Sequence, residues 1–112
     1  MPLLRINTNT TPYNKDAVIK QASALVADML DKSEDYVMIV LDTGMSMSFA
    51  GSTAPCALIE LKSLGMDELK TSEYSATLCD LVHDLLGVPV DRVHVEFVSP
   101  ERHMWGWNRT TF

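Results

Sequence analysis

Residues 57–63, Ala57-Leu58-Ile59-Glu60-Leu61-Lys62-Ser63, lie over residues 2–8, Pro2-Leu3-Leu4-Arg5-Ile6-Asn7-Thr8, at an offset of about 55. Leu3–Asn7 and Ala57–Lys62 each read as a strand, and Ser63-Leu64-Gly65 turns out of the second. A second pair keeps the spacing, with Tyr36-Val37-Met38-Ile39-Val40-Leu41 over Arg92–Val98. Between the members of the first half, Val18, Ala22, Leu25, Val26, Met29 and Leu30 recur at spacings of three and four, which predicts an amphipathic helix of about five turns. Thr11 is its expected N-cap and Pro12 its first helical residue, and Asp31-Lys32-Ser33-Glu34-Asp35 ends it. In the second half a helix is expected from about Asp67 to Leu86, with Ala76, Leu78, Leu81, Val82 and Leu85 on its apolar side and Gly87-Val88-Pro89 as its stop. Each half is therefore a βαβ unit, spanning residues 2–50 and 57–99 of a single domain, 1–112. Such units imply parallel strand pairs joined by right-handed crossovers. The expected fold class is α/β (α+β): a four-stranded mixed sheet with two helices on one face.

Two helices cover one face of such a sheet and leave the other open. Tyr36–Leu41 has no polar alternation, so both of its faces are expected to be buried, whereas Arg92–Val98 alternates cleanly. Apolar side chains of Tyr36–Leu41 and Leu58–Leu61 would then face water on the open side, which usually marks an interface. Either the irregular stretch 42–56 and the tail fold over this face, or further copies of the chain cover it. Residues 42–56 leave room for a short strand near Met45–Ala50, and the tail, with Met104, Trp105, Trp107 and Phe112, is expected to pack against something.

The composition narrows the function classes. The 112 residues are 46% hydrophobic and 21% charged, with a net charge of −6. An acidic chain of this kind has no basic footprint, so neither nucleic acid nor an anionic membrane is an expected partner. No apolar run approaches the roughly 20 residues needed to span a bilayer, and the start, Met-Pro-Leu-Leu-Arg-Ile-Asn, lacks the pattern of a signal peptide. Cys56 and Cys79 form no CxxC, and His83, His94 and His103 share no ligand spacing, so no metal is expected. No Gly-rich phosphate loop is present, and no cofactor is expected. Without a secretion signal, the glycosylation patterns at Asn9-Thr10-Thr11 and Asn108-Arg109-Thr110 read as chance.

Six segments stand in a telling order: Met1-Pro2 ahead of Asn7-Thr8-Asn9; Phe49-Ala50-Gly51-Ser52-Thr53-Ala54-Pro55-Cys56-Ala57-Leu58; Ser63-Leu64-Gly65; Tyr74-Ser75; Val90-Asp91-Arg92-Val93; and Gly106-Trp107-Asn108-Arg109-Thr110-Thr111-Phe112. Together they resemble the tautomerase superfamily, and within it the macrophage migration inhibitory factor and D-dopachrome tautomerase family, from end to end. The resemblance implies the double βαβ fold, assembled as a homotrimer whose sheets line a central channel. It implies a keto–enol tautomerase acting on small aromatic α-keto acids such as phenylpyruvate, with dopachrome turnover left open. It equally implies a cytokine-like protein that binds a receptor and keeps a vestigial pocket. The family's setting is the cytoplasm, with secretion that needs no signal peptide.

The resemblance also implies roles for particular residues. Pro2 would be the catalytic base once Met1 is removed, since a prolyl nitrogen is a free secondary amine only at a chain start. A hydrophobic wall and a nearby cation disfavour a protonated amine and suit it to general base work. Lys32 would hold the substrate carboxylate; alternatively it is a solvent-facing lysine that favours the helix dipole. Leu64 would present main-chain groups to the ligand. Tyr36, Trp107 and Phe112 would form pocket walls, or simply pack as core. Where the best-known members carry a tyrosine and an asparagine from the neighbouring subunit, this chain has His94 and Glu96. A carboxylate at that point would favour the protonated amine and repel an anionic substrate unless Lys32 or His94 compensates. Trp105 replaces a small aliphatic residue at the pocket rim. Cys56-Ala57-Leu58-Ile59 has one thiol where the cytokine member has Cys-Ala-Leu-Cys, so dithiol chemistry is not implied here.

Overall fold

Strand alternation decides which side chains meet the helices. The computed structural model describes residues 1–112. Its first strand, β1 (Pro2–Thr8), buries Leu4, Ile6 and Thr8 on one side and carries Leu3, Arg5 and Asn7 on the other. The other long strands are β2 (Met38–Asp42), β3 (Ala57–Ser63) and β4 (Val93–Val98), in the order β2-β1-β3-β4. β1 runs parallel to β2 and β3 parallel to β4, while β1 and β3 are antiparallel from Pro2 opposite Ser63 to Thr8 opposite Ala57. The sheet is thus the expected mixed one of two βαβ units. Arg5 and Glu60 are equivalent positions of the two halves and also face each other across β1 and β3. The pseudo-two-fold axis passes between them.

Helix α1 (Lys15–Leu30) and helix α2 (Thr71–Leu86) lie on the same face of the sheet. α1 buries Val18, Ala22, Val26 and Ala27, and α2 buries Tyr74, Leu78, Leu81, Val82 and Leu86. They close on Leu4, Ile6, Ile59 and Leu61, each at most 1% exposed. Ala76, expected on the apolar side of α2, is exposed, and Tyr74 takes the buried place one turn before Leu78.

Three boundaries differ from the sequence expectation. α1 is capped by Asn14, whose side chain accepts from the Ala17 N–H at 3.1 Å, and not by Thr11. The stretch before it is committed elsewhere: the carbonyls of Thr8 and Thr10 accept the N–H groups of Met45 and Gly44 at 3.0 and 2.9 Å. The segment after Asp67 forms one 3-10 turn, Glu68–Lys70, before α2 begins. Around Met45–Ala50 there is no strand, only an isolated bridge between Phe49 and Ser52.

The expected burial of both faces of Tyr36–Leu41 is also corrected. β2 is an edge strand, so Met38 and Asp42 are exposed and Ile39, Val40 and Leu41 are half-buried. On the side away from the helices, strand register gives three rows of side chains. One row is Met38, Leu3, Lys62 and Val98; the next is Val40, Arg5, Glu60 and Glu96; the last is Asp42, Asn7, Leu58 and His94. The loop after β2 reaches the last row, where Phe49 meets the His94 ring at 4.6 Å and the Asn7 amide lies 3.1 Å from Met45 Sδ. The tail borders the first row, with Lys62 Nζ 5.9 Å from the Trp105 ring centre. Loop and tail therefore border the two ends of this face, where Met38, Asp42, Leu58 and His94 stay exposed, and neither reaches the charged middle row.

Candidate functional site

The N-terminal residue lies where two cavities meet. The first, of about 480 Å³, is bounded by Met1, Lys32, Tyr36, Leu64, Arg102 and Phe112, with Asp31, Ser33 and Gly65 completing it. The second, of about 440 Å³, lies on the open face of the sheet between the row Met38, Leu3, Lys62, Val98 and the tail residues Met104 to Trp107, and Pro2 opens onto it. Met1 and Tyr36 belong to both.

Local chain geometry places each wall. At the end of α1, Asp31 adopts a left-handed conformation (φ 52°), and the N–H groups of Asp31 and Lys32 turn back onto the carbonyls of Asp28 and Ala27. This closure ends the helix with Lys32 at the cavity, the favourable end of the dipole for a cation. A 3-10 turn, Glu34–Tyr36, follows, capped by Ser33 Oγ, which accepts from the Asp35 N–H at 3.2 Å. It sets the Tyr36 ring edge-on to Trp107 at 5.8 Å, and Trp107 stacks on Phe112 at 6.1 Å. Two short strands, β5 (Gly106–Trp107) and β6 (Thr110–Thr111), make the hairpin that carries these rings. Its two linking residues, Asn108 and Arg109, both have positive φ, at 52° and 70°. The Phe112 N–H then donates to the carbonyls of Arg102 and Trp105, each at 3.2 Å. Leu64, 4% exposed, follows β3 directly and so lies beside the start of β1, where Pro2 faces Ser63.

The site is electropositive around its amine. Burial first, then the Lys32 ammonium, then the Arg102 guanidinium hold the N-terminal amine below its ordinary value. In the chain carrying Met1 that amine belongs to Met1, while Pro2 is fully buried with its nitrogen in a peptide bond.

Of the residues singled out from sequence, Lys32, Tyr36, Leu64 and Phe112 share the first cavity, and Pro2 and Trp107 line the second. Trp105 also lines the second, beneath Lys62. His94 and Glu96 are not brought to either cavity within one chain; they point from β4 onto the open face, Glu96 opposite Glu60. Arg102 was not legible in advance, since neither its spacing nor a motif marks it. Asn9 also gains a role. Its amide donates to the carbonyls of Thr53 and Ala54 and its oxygen accepts from the Cys56 N–H, which leaves it engaged inside the fold.

A pseudo-symmetric double βαβ sheet with a cavity at its N-terminal residue is the architecture of the tautomerase superfamily. The family described as macrophage migration inhibitory factor matches the chain over residues 1–112. The homolog from Trichinella spiralis is 36% identical over the full length of both chains. The homolog from Brugia malayi is 39% identical, covering all of this chain and 99% of its own. The solved Trichinella spiralis structure superposes with a TM-score of 0.92 at 34% identity, covering 98% of this chain and 99% of that one. A homologue structure from Prochlorococcus marinus gives 0.90 at 35% identity, covering 98% of each. The chain belongs to the macrophage migration inhibitory factor family. Its function is accordingly of that family's tautomerase-type and cytokine-like kind. No helix is long and apolar enough to cross a membrane.

Proposed function

We propose that the chain is a keto–enol tautomerase for phenylpyruvate-like α-keto acids, with the secondary amine of Pro2 as general base after removal of Met1. The observation that supports this most directly is the N-terminal amine itself, depressed by burial and two cations at the mouth of an aromatic-walled cavity. With Met1 gone the amine passes to Pro2, beside Leu64 and within the same field. A base of lowered pKa is free at neutral pH without extra cost in protonation. Lys32 pairs with the substrate carboxylate, and Tyr36 and Phe112 hold the ring. The Pro2 nitrogen takes a proton from the carbon next to the carbonyl while the carbonyl oxygen gains one from solvent, and the protonated Pro2 then releases its proton to solvent. The reverse transfers return the keto form, so no co-reactant is consumed.

The same reading includes a homotrimer. The placement of His94 and Glu96 outside their own chain's cavities supports a neighbour whose cavity receives them, with the charged middle row facing a hydrated interior shared between copies.

The test combines intact mass with turnover. A preparation lacking Met1 should convert phenylpyruvate, and Pro2→Gly should retain the fold but lose activity by about 10²-fold or more, the usual scale for a positioned base. Undiminished turnover in the variant would move the base to another residue.

A further inference from the structure

Lys32 and Arg102 bring two positive charges to one cavity, and neither has an acidic partner. The ion pairs of the molecule are Lys62 with Glu60 and, where the imidazole is protonated, His103 with Glu101. Asp31 is the one acidic side chain on the cavity wall, so the side chains of Lys32, Arg102 and Asp31 together are positive in a chain of net charge −6. The two cations come from separate elements. Lys32 follows the left-handed end of α1, whereas Arg102 opens a 3-10 turn, Arg102–Met104, in the tail. The Arg102 backbone carbonyl holds the Phe112 N–H, which fixes the base of this side chain against the aromatic wall. None of the side-chain hydrogen bonds or ion pairs of the fold involves its guanidinium, which is free to form a bidentate pair with a carboxylate. One anion needs only one of these cations.

We infer that the cavity takes an α-keto acid with a second acidic group, its first carboxylate on Lys32 and its second on Arg102. This deepens the proposed tautomerase function and rests on it. Tyr36 and Phe112 would hold the apolar body of the substrate between the two charged ends. Arg102 would then set specificity, and a monoanionic phenylpyruvate would be the lesser substrate.

The probes are phenylpyruvate and its ring para-carboxylate, which differ by one anionic group. They are compared at about pH 8.5, above the ordinary range of an α-amino group, on chain lacking Met1. The native chain should prefer the para-carboxylate in kcat/KM, chiefly through KM. In Arg102→Gln the ratio of the two kcat/KM values should fall about tenfold, the scale of one charge-assisted hydrogen bond. Arg102→Lys, which keeps the charge, should restore part of it. Any change in the amine's pKa acts on both probes and cancels in the ratio. A ratio unmoved by Arg102→Gln, or a native preference for phenylpyruvate, overturns the inference. Dissociation constants for the two probes give the same ratio without turnover. If neither is converted yet the para-carboxylate binds tighter through Arg102, the inference stands and the tautomerase reading fails.

Discussion

Glu96 is the residue whose presence most alters the expected chemistry. Its neighbour across the strands is Glu60, which already pairs with Lys62 at 3.7 Å and faces Arg5, so Glu96 is left without a cation of its own in the chain. Delivered by a neighbouring subunit to the cavity of another, a carboxylate stabilises the protonated amine and opposes an anionic substrate. Replacing Glu96→Asn should therefore lower the pKa of the Pro2 amine and move the acid limb of kcat/KM to lower pH. One pKa unit is about 1.4 kcal/mol, so a gain of about threefold to tenfold is expected at pH 6–7. The gain should shrink at higher pH, where the amine is free in both forms. A pH–rate profile checks this, and slower turnover at every pH with an unchanged limb would make Glu96 a contributor rather than an antagonist.

At the scale of elements, the β5–β6 hairpin carries local strain. A two-residue loop with positive φ at both positions is the turn that favours Asn followed by Gly, and here the second place holds Arg109 at φ 70°. A non-glycine residue in this region costs roughly 1–2 kcal/mol, partly offset by the unfolded-state freedom that glycine adds. Arg109→Gly should stabilise the protein by about 1 kcal/mol, raising Tm by about 4 °C in a thermal melt. A lowered Tm would show that the Arg109 side chain makes up for its backbone. Elements were legible where periodicity spoke: Val18, Ala22 and Val26, and Leu78, Leu81 and Val82, face the core as their spacing requires. Caps were less legible, because Thr11 and Asn14 are both good caps and only the pairing of residues 8–10 with 44–45 decides between them. The edge position of β2 depends on the order in which two βαβ units join, which periodicity does not encode. In the candidate site, the resemblance carried Pro2, Lys32, Tyr36, Leu64, Trp107 and Phe112, while Arg102 needed the tail's path in three dimensions.

At the scale of the whole molecule, the helical face is closed and the opposite face is bordered by loop and tail at its ends but otherwise open. Beside Val40, Arg5, Glu60 and Glu96 put one positive and two negative charges in the middle row. A face of this composition suits a hydrated, shared interior better than a dry contact. Light scattering should give about three times the 12.5 kDa chain mass at micromolar concentration. A lasting monomer would remove the route by which His94 and Glu96 reach a cavity, and with it the expected effect of Glu96→Asn.

Arg92 binds the loop that approaches this face. Its guanidinium donates to four carbonyls, those of Phe49, Ser52, Ala54 and Pro55, at 2.9 to 3.2 Å, and lies 5.3 Å from the Phe49 ring centre. With so many contacts resting on one side chain, the loop does not loosen residue by residue. Its amides at Phe49, Ser52, Ala54 and Cys56 should exchange with solvent deuterium at one common opening free energy, as a small cooperative unit. Arg92→Lys supplies a point charge in place of a planar fork, and should split that single event into separate, faster ones. Identical exchange in the two proteins would place the loop's order elsewhere.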